Sequence, residues 1–206
     1  MSKTVSFTQM KDGSREDYLL LHELEKPFVA MTAERILREL VHHGEETLAG
    51  YKVTRLGHAL QSATRALREG ADEDWIVGAL LHDIGDGLAP LNHDRFAAEI
   101  IRPYVREEVT WVVEHHGTFQ MVYYAHHYGW NQYERDKHKN SPHYQACVDF
   151  CERWDQASFD PDYATEPLET FAPMVARVFT RKPYDPAVLQ PGANVGLPPL
   201  TAAAAE

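Results

Sequence analysis

The sequence predicts an all-α protein folded as a single helical domain. Three observations predict it. Apolar residues recur every three to four positions along most of the chain, Gly, Pro and capping residues interrupt these runs, and no segment alternates polar and apolar residues as a half-buried strand does. The 206 residues suit one domain. They divide into an N-terminal extension over 1–30, a helical domain over 31–182 and a tail over 183–206, with both ends read as mobile.

Each element has its own signal. Ser14 caps a first helix, Asp17 completes a capping box, and Pro27 limits it. Ile36, Leu37, Leu40 and Val41 mark a second helix from Thr32 to Gly44. A third, from about Val53 to Glu69, carries Leu56, Leu60, Ala63 and Leu67 on one side and stops at Gly70. Asp72 caps the next, which runs through Trp75, Ile76, Ala79 and Leu80 into Leu81, His82 and Asp83. Gly85, Gly87 and Pro90 then open a loop. Asn92 caps a helix that Pro103 limits, and another runs from Glu107 to His116 with Gly117 behind it.

Residues 118–140 mix Tyr123, Tyr124, Tyr128 and Tyr133 with His126, His127, Trp130 and His138 without a period. They read as a lid, or an irregular helix-loop over a site. Ser141-Pro142 opens a long helix to about Ser158, and a last helix lies between Leu168 and Arg181. The Pro- and Ala-rich stretch from Pro183 reads as extended or mobile.

Charge and composition exclude some classes of function. Against 31 acidic residues stand 20 basic ones, a net charge of -11 that repels phosphate backbones and argues against a nucleic-acid partner. No stretch approaches the roughly eighteen apolar residues of a membrane span, and MSKTVSFTQMKDGSRED lacks the apolar core of a signal peptide. Neither membrane insertion nor export is expected. Cys147 and Cys151 share one helix face with geometry unfit for a relaxed disulfide, so the expected setting is reducing and cytoplasmic.

The chemistry lies in an ordered set of helix-end residues: His58, the doublet His82-Asp83, His93, His116 and Asp155. A carboxylate has two oxygens and can bridge two ions, while each imidazole supplies one nitrogen. One bridging Asp, four His and a terminal Asp therefore suffice for two first-row metals with positions left open for substrate and oxygen or water. Taken singly, His58 reads as a hydrogen-bonded core residue and Asp83 before a glycine turn as turn chemistry. Six such groups in order at helix ends favour the metal reading. His115 leaves one residue of ambiguity beside His116.

The arrangement His58, His82-Asp83 within LLHDIGD, and Asp155 resembles the one that defines the HD-domain superfamily, over roughly residues 50–160. That resemblance implies an all-helical metal-binding fold. Most members are phosphohydrolases; a smaller branch, with inositol oxygenase and the phosphonate-cleaving oxygenases, consists of diiron oxygenases with two further histidines. His93 and His116 are similar to that pair, which favours His116 over His115. The segments GHALQSATRALREGADEDWIVGALLHDIGD and RWDQASFD resemble the phosphonate-oxygenase branch. The implied cofactors are two Fe ions held as Fe(II)/Fe(III), with O2 as co-substrate and no catalytic residue beyond the ligands. The implied partner is a small hydroxylated molecule, oxidised or cleaved at the carbon bearing the hydroxyl.

The sequence also departs from that branch. The phosphonate oxygenases carry a Tyr and a Glu upstream of the first ligand, where this chain has Leu48 and Tyr51, and a His and a Lys on the phosphonate, where it has Asp86 and Gln120. Tyr51 is either a cap or donor at the site or a packed helix-start aromatic. A carboxylate at Asp86 repels a dianion in a low-dielectric pocket and suits an ammonium or hydroxyl group, unless it is only a turn residue. Gln61, on a face adjoining His58, orients a ligand, touches substrate or sits at the core edge. His115 and Gln120 complete the expected substrate-binding set. The alternative is a dinuclear phosphohydrolase of a phosphate ester or nucleotide, against which HDIGDGLAPLNHD offers no cation before Arg95. A degenerate binding module is the third reading; the intact ligand set stands against it.

Overall fold

The computed structural model describes residues 4–44 and 50–200. Leu48 lies outside the described residues. Helix α1, Arg15–Ala30, opens on the expected capping box: the Ser14 hydroxyl accepts from the Asp17 amide at 3.2 Å, and the Asp17 carboxylate accepts from the Ser14 amide at 3.0 Å. It does not end at Pro27. That residue is exposed, so the carbonyl left unbonded by its missing N–H meets water and the helix continues. Helices α2, Thr32–Gly44, and α3, Arg55–Arg68, follow, the second capped by Thr54 Oγ1 accepting from Gly57 at 2.9 Å. Asp72 caps α4, Glu73–Leu81, by accepting from the Trp75 amide at 3.2 Å.

Helix α4 is the axis of the molecule. Every residue from Asp74 to Leu81 is buried, as befits a helix apolar on nearly all sides. Gly78 makes room for a neighbour, since a Cβ there would stand 2.7 Å from Val109 Cγ1 of α6, Glu107–Tyr124. Helix α5, His93–Ile101, packs on α6. Helix α6 runs through Gly117 instead of stopping there. A mid-helix glycine loses about 1 kcal/mol of propensity, yet the helix continues, packed against α5, with the Asp94 carboxylate and the His93 ring 3.4 and 4.0 Å from where a Cβ would be, ordinary contact distances. Tertiary packing overrides the local stop signal.

The stretch read as a lid forms 3-10 turns, Ala125–Tyr128 and Glu134–His138, after α6. The second folds back on α6, where the His138 ring meets Trp111, His115 and Phe119. The long helix expected to reach Ser158 is α7, Tyr144–Phe150, continued by a π-helical turn over Cys151–Asp155. Helix α8, Leu168–Phe179, closes the bundle over α2 and α4, and a short α9 spans Pro186–Leu189.

Beyond α9 the chain is extended, as expected, but through residue 200 it is held down. Glu108, 1% exposed, accepts from the Val195 and Gly196 amides at 3.0 and 2.9 Å. The Trp75 indole donates to Gly196 O at 3.0 Å, and Arg153 Nη2 to Pro198 O at 2.6 Å. A buried carboxylate needs donors, and this segment supplies them. Among the described residues no helix is long and apolar enough to cross a membrane.

Candidate metal centre

Four helices and the π turn bring the nominated residues to one point. Helix α4 ends at Leu81, and the chain continues in tight turns closed by Ile84 N to Leu81 O and Asp86 N to Asp83 O. His82 keeps helical backbone angles, φ -58° and ψ -31°, so the two adjacent side chains still leave in different directions and straddle the site, His82 from within the core and Asp83 from its partly buried side. His82 is fully buried and Asp83 partly so. His58 arrives from the first turn of α3, His93 opens α5, His116 projects from the middle of α6, and Asp155, 3% exposed, ends the π turn.

The two oxygens of Asp83 face two different imidazole pairs. Oδ2 lies 3.4 Å from both His58 Nε2 and His82 Nε2; Oδ1 lies 3.4 Å from His93 Nε2 and 3.1 Å from His116 Nε2. Asp155 Oδ1 completes the first group, 3.3 Å from His58 and 3.5 Å from His82. Two donors bonded to one ion at about 2.1 Å, about 90–110° apart, lie roughly 3.0–3.4 Å from each other. The separations match neighbouring corners of a coordination sphere.

Protonation makes the same point. His58 Nδ1 donates to Ser158 O at 3.0 Å, His82 Nδ1 to Ala79 O at 2.8 Å, and His116 Nδ1 to Val113 O at 2.7 Å. A carbonyl only accepts, so each of these rings carries its proton on Nδ1 and turns an Nε2 lone pair inward. His58 and His82 then aim nitrogens at each other across 3.1 Å. Only a cation between them relieves that contact. Without a metal the cation is a proton: burial opposes it, but Asp155 and Asp83 override burial and raise His58 to about 10, and Asp83 raises His116 to about 9. Both carboxylates are held below their ordinary range, against burial, mainly by His82. Asp155 Oδ2 is buried with no hydrogen-bond partner, an orphan that a bound ion would satisfy. Imidazole and carboxylate donors without thiolate suit first-row metals such as iron, manganese or zinc, so the residues fit a dinuclear group.

Beside the cage lies a pocket of about 270 Å³ lined by Tyr51, Val53, Arg55, Asp86 and Phe159 as well as His58, Asp83 and His93. Tyr51 stacks on Phe159 with centroids 5.3 Å apart, and Phe159 stacks on His58 at 4.4 Å. Tyr51, 53% exposed, stands at the rim. Asp86 is in the pocket, yet its charge is already met: Oδ2 accepts from Arg55 Nε at 3.0 Å, and Oδ1 faces His93 Nδ1 at 3.4 Å. This corrects the expectation of a bare carboxylate hostile to anions and open to an ammonium group.

Three other expectations are corrected as well. Gln61 does not line the pocket; its amide donates to Asp160 O at 2.8 Å and accepts from Asp160 N at 3.3 Å, pinning the loop that carries Phe159. His115, a residue's rotation from His116, stacks on Trp111 at 4.1 Å and bonds Trp111 O, away from the cage. Gln120, about 6 Å farther along α6 than His116, is also outside the pocket. Arg55 and Phe159 were not anticipated. Arg55 had a usable signal, since it precedes His58 by three residues and so shares its helix face. Phe159 had only its place within RWDQASFD.

This geometry has relatives. Over 84 residues the chain is 36% identical to the [1-hydroxy-2-(trimethylamino)ethyl]phosphonate dioxygenase (glycine-betaine-forming) of Leisingera caerulea, an alignment covering 35% of this chain and 43% of that protein. The chain thus spans less than half the length of this curated relative. The family model described as HD domain matches residues 51–155, a span that begins at the pocket rim and ends on the last carboxylate of the cage. That match takes in half of the sequence, and the chain belongs to the HD-domain family.

Proposed function

We propose that the protein is a diiron oxygenase that uses O2 to oxidise or cleave a small hydroxylated molecule. The observation that carries this reading is Asp83, with one oxygen toward His58 and His82 and the other toward His93 and His116. The dioxygenase relative supports iron over other metals. His58, His82 and Asp155 would hold one ion, His93 and His116 the other, and Asp83 would bridge them. Bound iron would supply O2 activation and removal of hydrogen from the carbon bearing the hydroxyl. The protein's own part is positioning and exclusion. Main-chain carbonyls keep three imidazoles in the ligating tautomer, while Phe159, Tyr51 and Val53 supply an apolar side to the pocket against which a carbon skeleton would rest. The free, buried thiols of Cys147 and Cys151 support a reducing, cytoplasmic setting.

The test is metal analysis and electron paramagnetic resonance of the purified protein, with O2 uptake on hydroxylated carboxylates and phosphonates. Two irons per chain, a mixed-valent signal and substrate-dependent O2 uptake are expected. Manganese or magnesium with hydrolysis of a phosphate ester, and no O2 uptake, would replace this reading by the phosphohydrolase one. Arg55 favours that second reading to a degree, because it supplies the pocket cation that the doublet segment lacks.

A further inference from the structure

The geometry points to Arg55 as the residue that selects the substrate, by gripping an oxyanion on the molecule whose hydroxyl is presented to the cage. This rests on the proposed oxygenase site and adds a specificity determinant to it. Arg55 lines the pocket together with Asp83 and His93, so its guanidinium shares one space with the bridging carboxylate and a ligand of the second ion position. Its side chain is 18% exposed, as is that of Asp86, and the pair is therefore fixed rather than fluttering at the surface.

Among the described residues only one of the five N–H groups of Arg55 has a hydrogen-bond partner: Nε donates to Asp86 Oδ2 at 3.0 Å, and the Nη groups meet none. An arginine tethered through Nε keeps its two-pronged Nη edge for a second planar or tetrahedral oxyanion, which it binds through two parallel hydrogen bonds. Asp86 does not consume that capacity. It cancels one charge, holds the guanidinium in place, and touches His93 with its other oxygen. Two bound ions would add to the preference, because two divalent or higher cations would exceed the charge of the two carboxylates, Asp83 and Asp155, that would hold them. With the ions in place, a neutral or cationic ligand would leave their surplus charge unmatched. The rest of the wall, Val53, Phe159 and Tyr51, suits a short carbon skeleton between the two ends.

The experiment titrates the iron-loaded protein under argon, where no turnover occurs, with glycolate, hydroxymethylphosphonate and 1,2-ethanediol, and reads binding by calorimetry. Both oxyanions are expected to bind more tightly than the neutral diol. Arg55→Gln is expected to weaken the oxyanions at least about tenfold and leave the diol unchanged, with iron content as in the parent protein. Arg55→Lys keeps charge without the fork and should lose only part of the effect. The ratio between glycolate and hydroxymethylphosphonate tells whether a carboxylate or a phosphonate is preferred. Oxyanion affinities that survive Arg55→Gln, or a diol affinity that falls in step with them, would overturn the assignment. A failure of the oxygenase reading looks different: O2 uptake is absent while the oxyanion discrimination persists.

Discussion

Gly85→Ala is a sharp probe of how the second ion position is built. Gly85 follows the doublet by two residues, and a Cβ there would stand 2.8 Å from His93 O and 3.0 Å from both His93 Cα and Phe96 Cβ. Two of these neighbours are main-chain atoms, which cannot swing aside. Ordinary contact needs about 3.5 Å, so the opening of α5 must retreat by roughly half an ångström. Overpacking of this kind destabilises by about 1–3 kcal/mol, and at this chain length each 1 kcal/mol shifts Tm by about 2–4 °C. A Tm fall of about 4–8 °C is expected. The same retreat carries His93 away from Asp83 Oδ1, now 3.4 Å distant. Metal bonds tolerate only about 0.2 Å, so metal content should drop from two ions per chain toward one. Gly78→Ala is the control. Its Cβ would meet Val109 Cγ1 at 2.7 Å, far from the α5 opening, so stability should fall and both ions stay. Mass-spectrometric metal counts and thermal melts decide the matter. Two ions and an unshifted Tm in the Gly85 variant would refute the reasoning, as would loss of metal in both variants.

Two further outcomes follow from burial and charge. In chelated protein the His58 and His116 pKa values, raised to about 10 and about 9 by the facing carboxylates, exceed the unfolded value of about 6.5. Their stabilisation is complete below about pH 6.5 and is lost as pH rises through 9 and 10, so Tm should fall across that window. Metal-loaded protein should stay level over it; a flat profile without metal would contradict the proton-for-metal exchange. Truncation after Gln190 removes the Val195 and Gly196 amides from Glu108 and the acceptor of the Trp75 indole. Hydrogen bonds to a charged group contribute about 1.5–3 kcal/mol each; with partial rehydration, urea unfolding should show a loss of about 3 kcal/mol, and a change under about 1 kcal/mol would refute the docking role.

Local relations were readable in the sequence and long-range ones were not. Ser14 and Asp72 cap helices because a side-chain oxygen meets an amide three residues on, a relation contained in a few letters. Pro27 and Gly117 are the same kind of letter, yet neither stops its helix: one is hydrated, and the other is carried through by the packing of α6 against α5. The six nominated residues do meet, and their order along the chain was readable, although His116 lies in the middle of α6 and not at a helix end as its place before Gly117 suggested. Their surroundings were not readable. Arg55 and Asp86 are paired across 31 residues and His58 meets Ser158 O across 100, and nothing in the intervening letters announces either contact. The π turn likewise has no local marker. An ordinary α-turn over the same residues would rotate Asp155 by roughly a quarter turn relative to Phe150.

The way the imidazoles are steadied bears on how such a centre diverges. His58, His82 and His116 lean on peptide oxygens, which every amino acid supplies, so mutation of the supporting position leaves their basicity nearly untouched. His93 Nδ1 also meets a peptide oxygen, Pro90 O at 3.5 Å, but in addition faces a side chain, Asp86 Oδ1, at 3.4 Å. Drift in sequence therefore reaches the cluster at one ring and spares the other three. Selection can retune that corner, where Arg55 also stands, by exchanging a single acid.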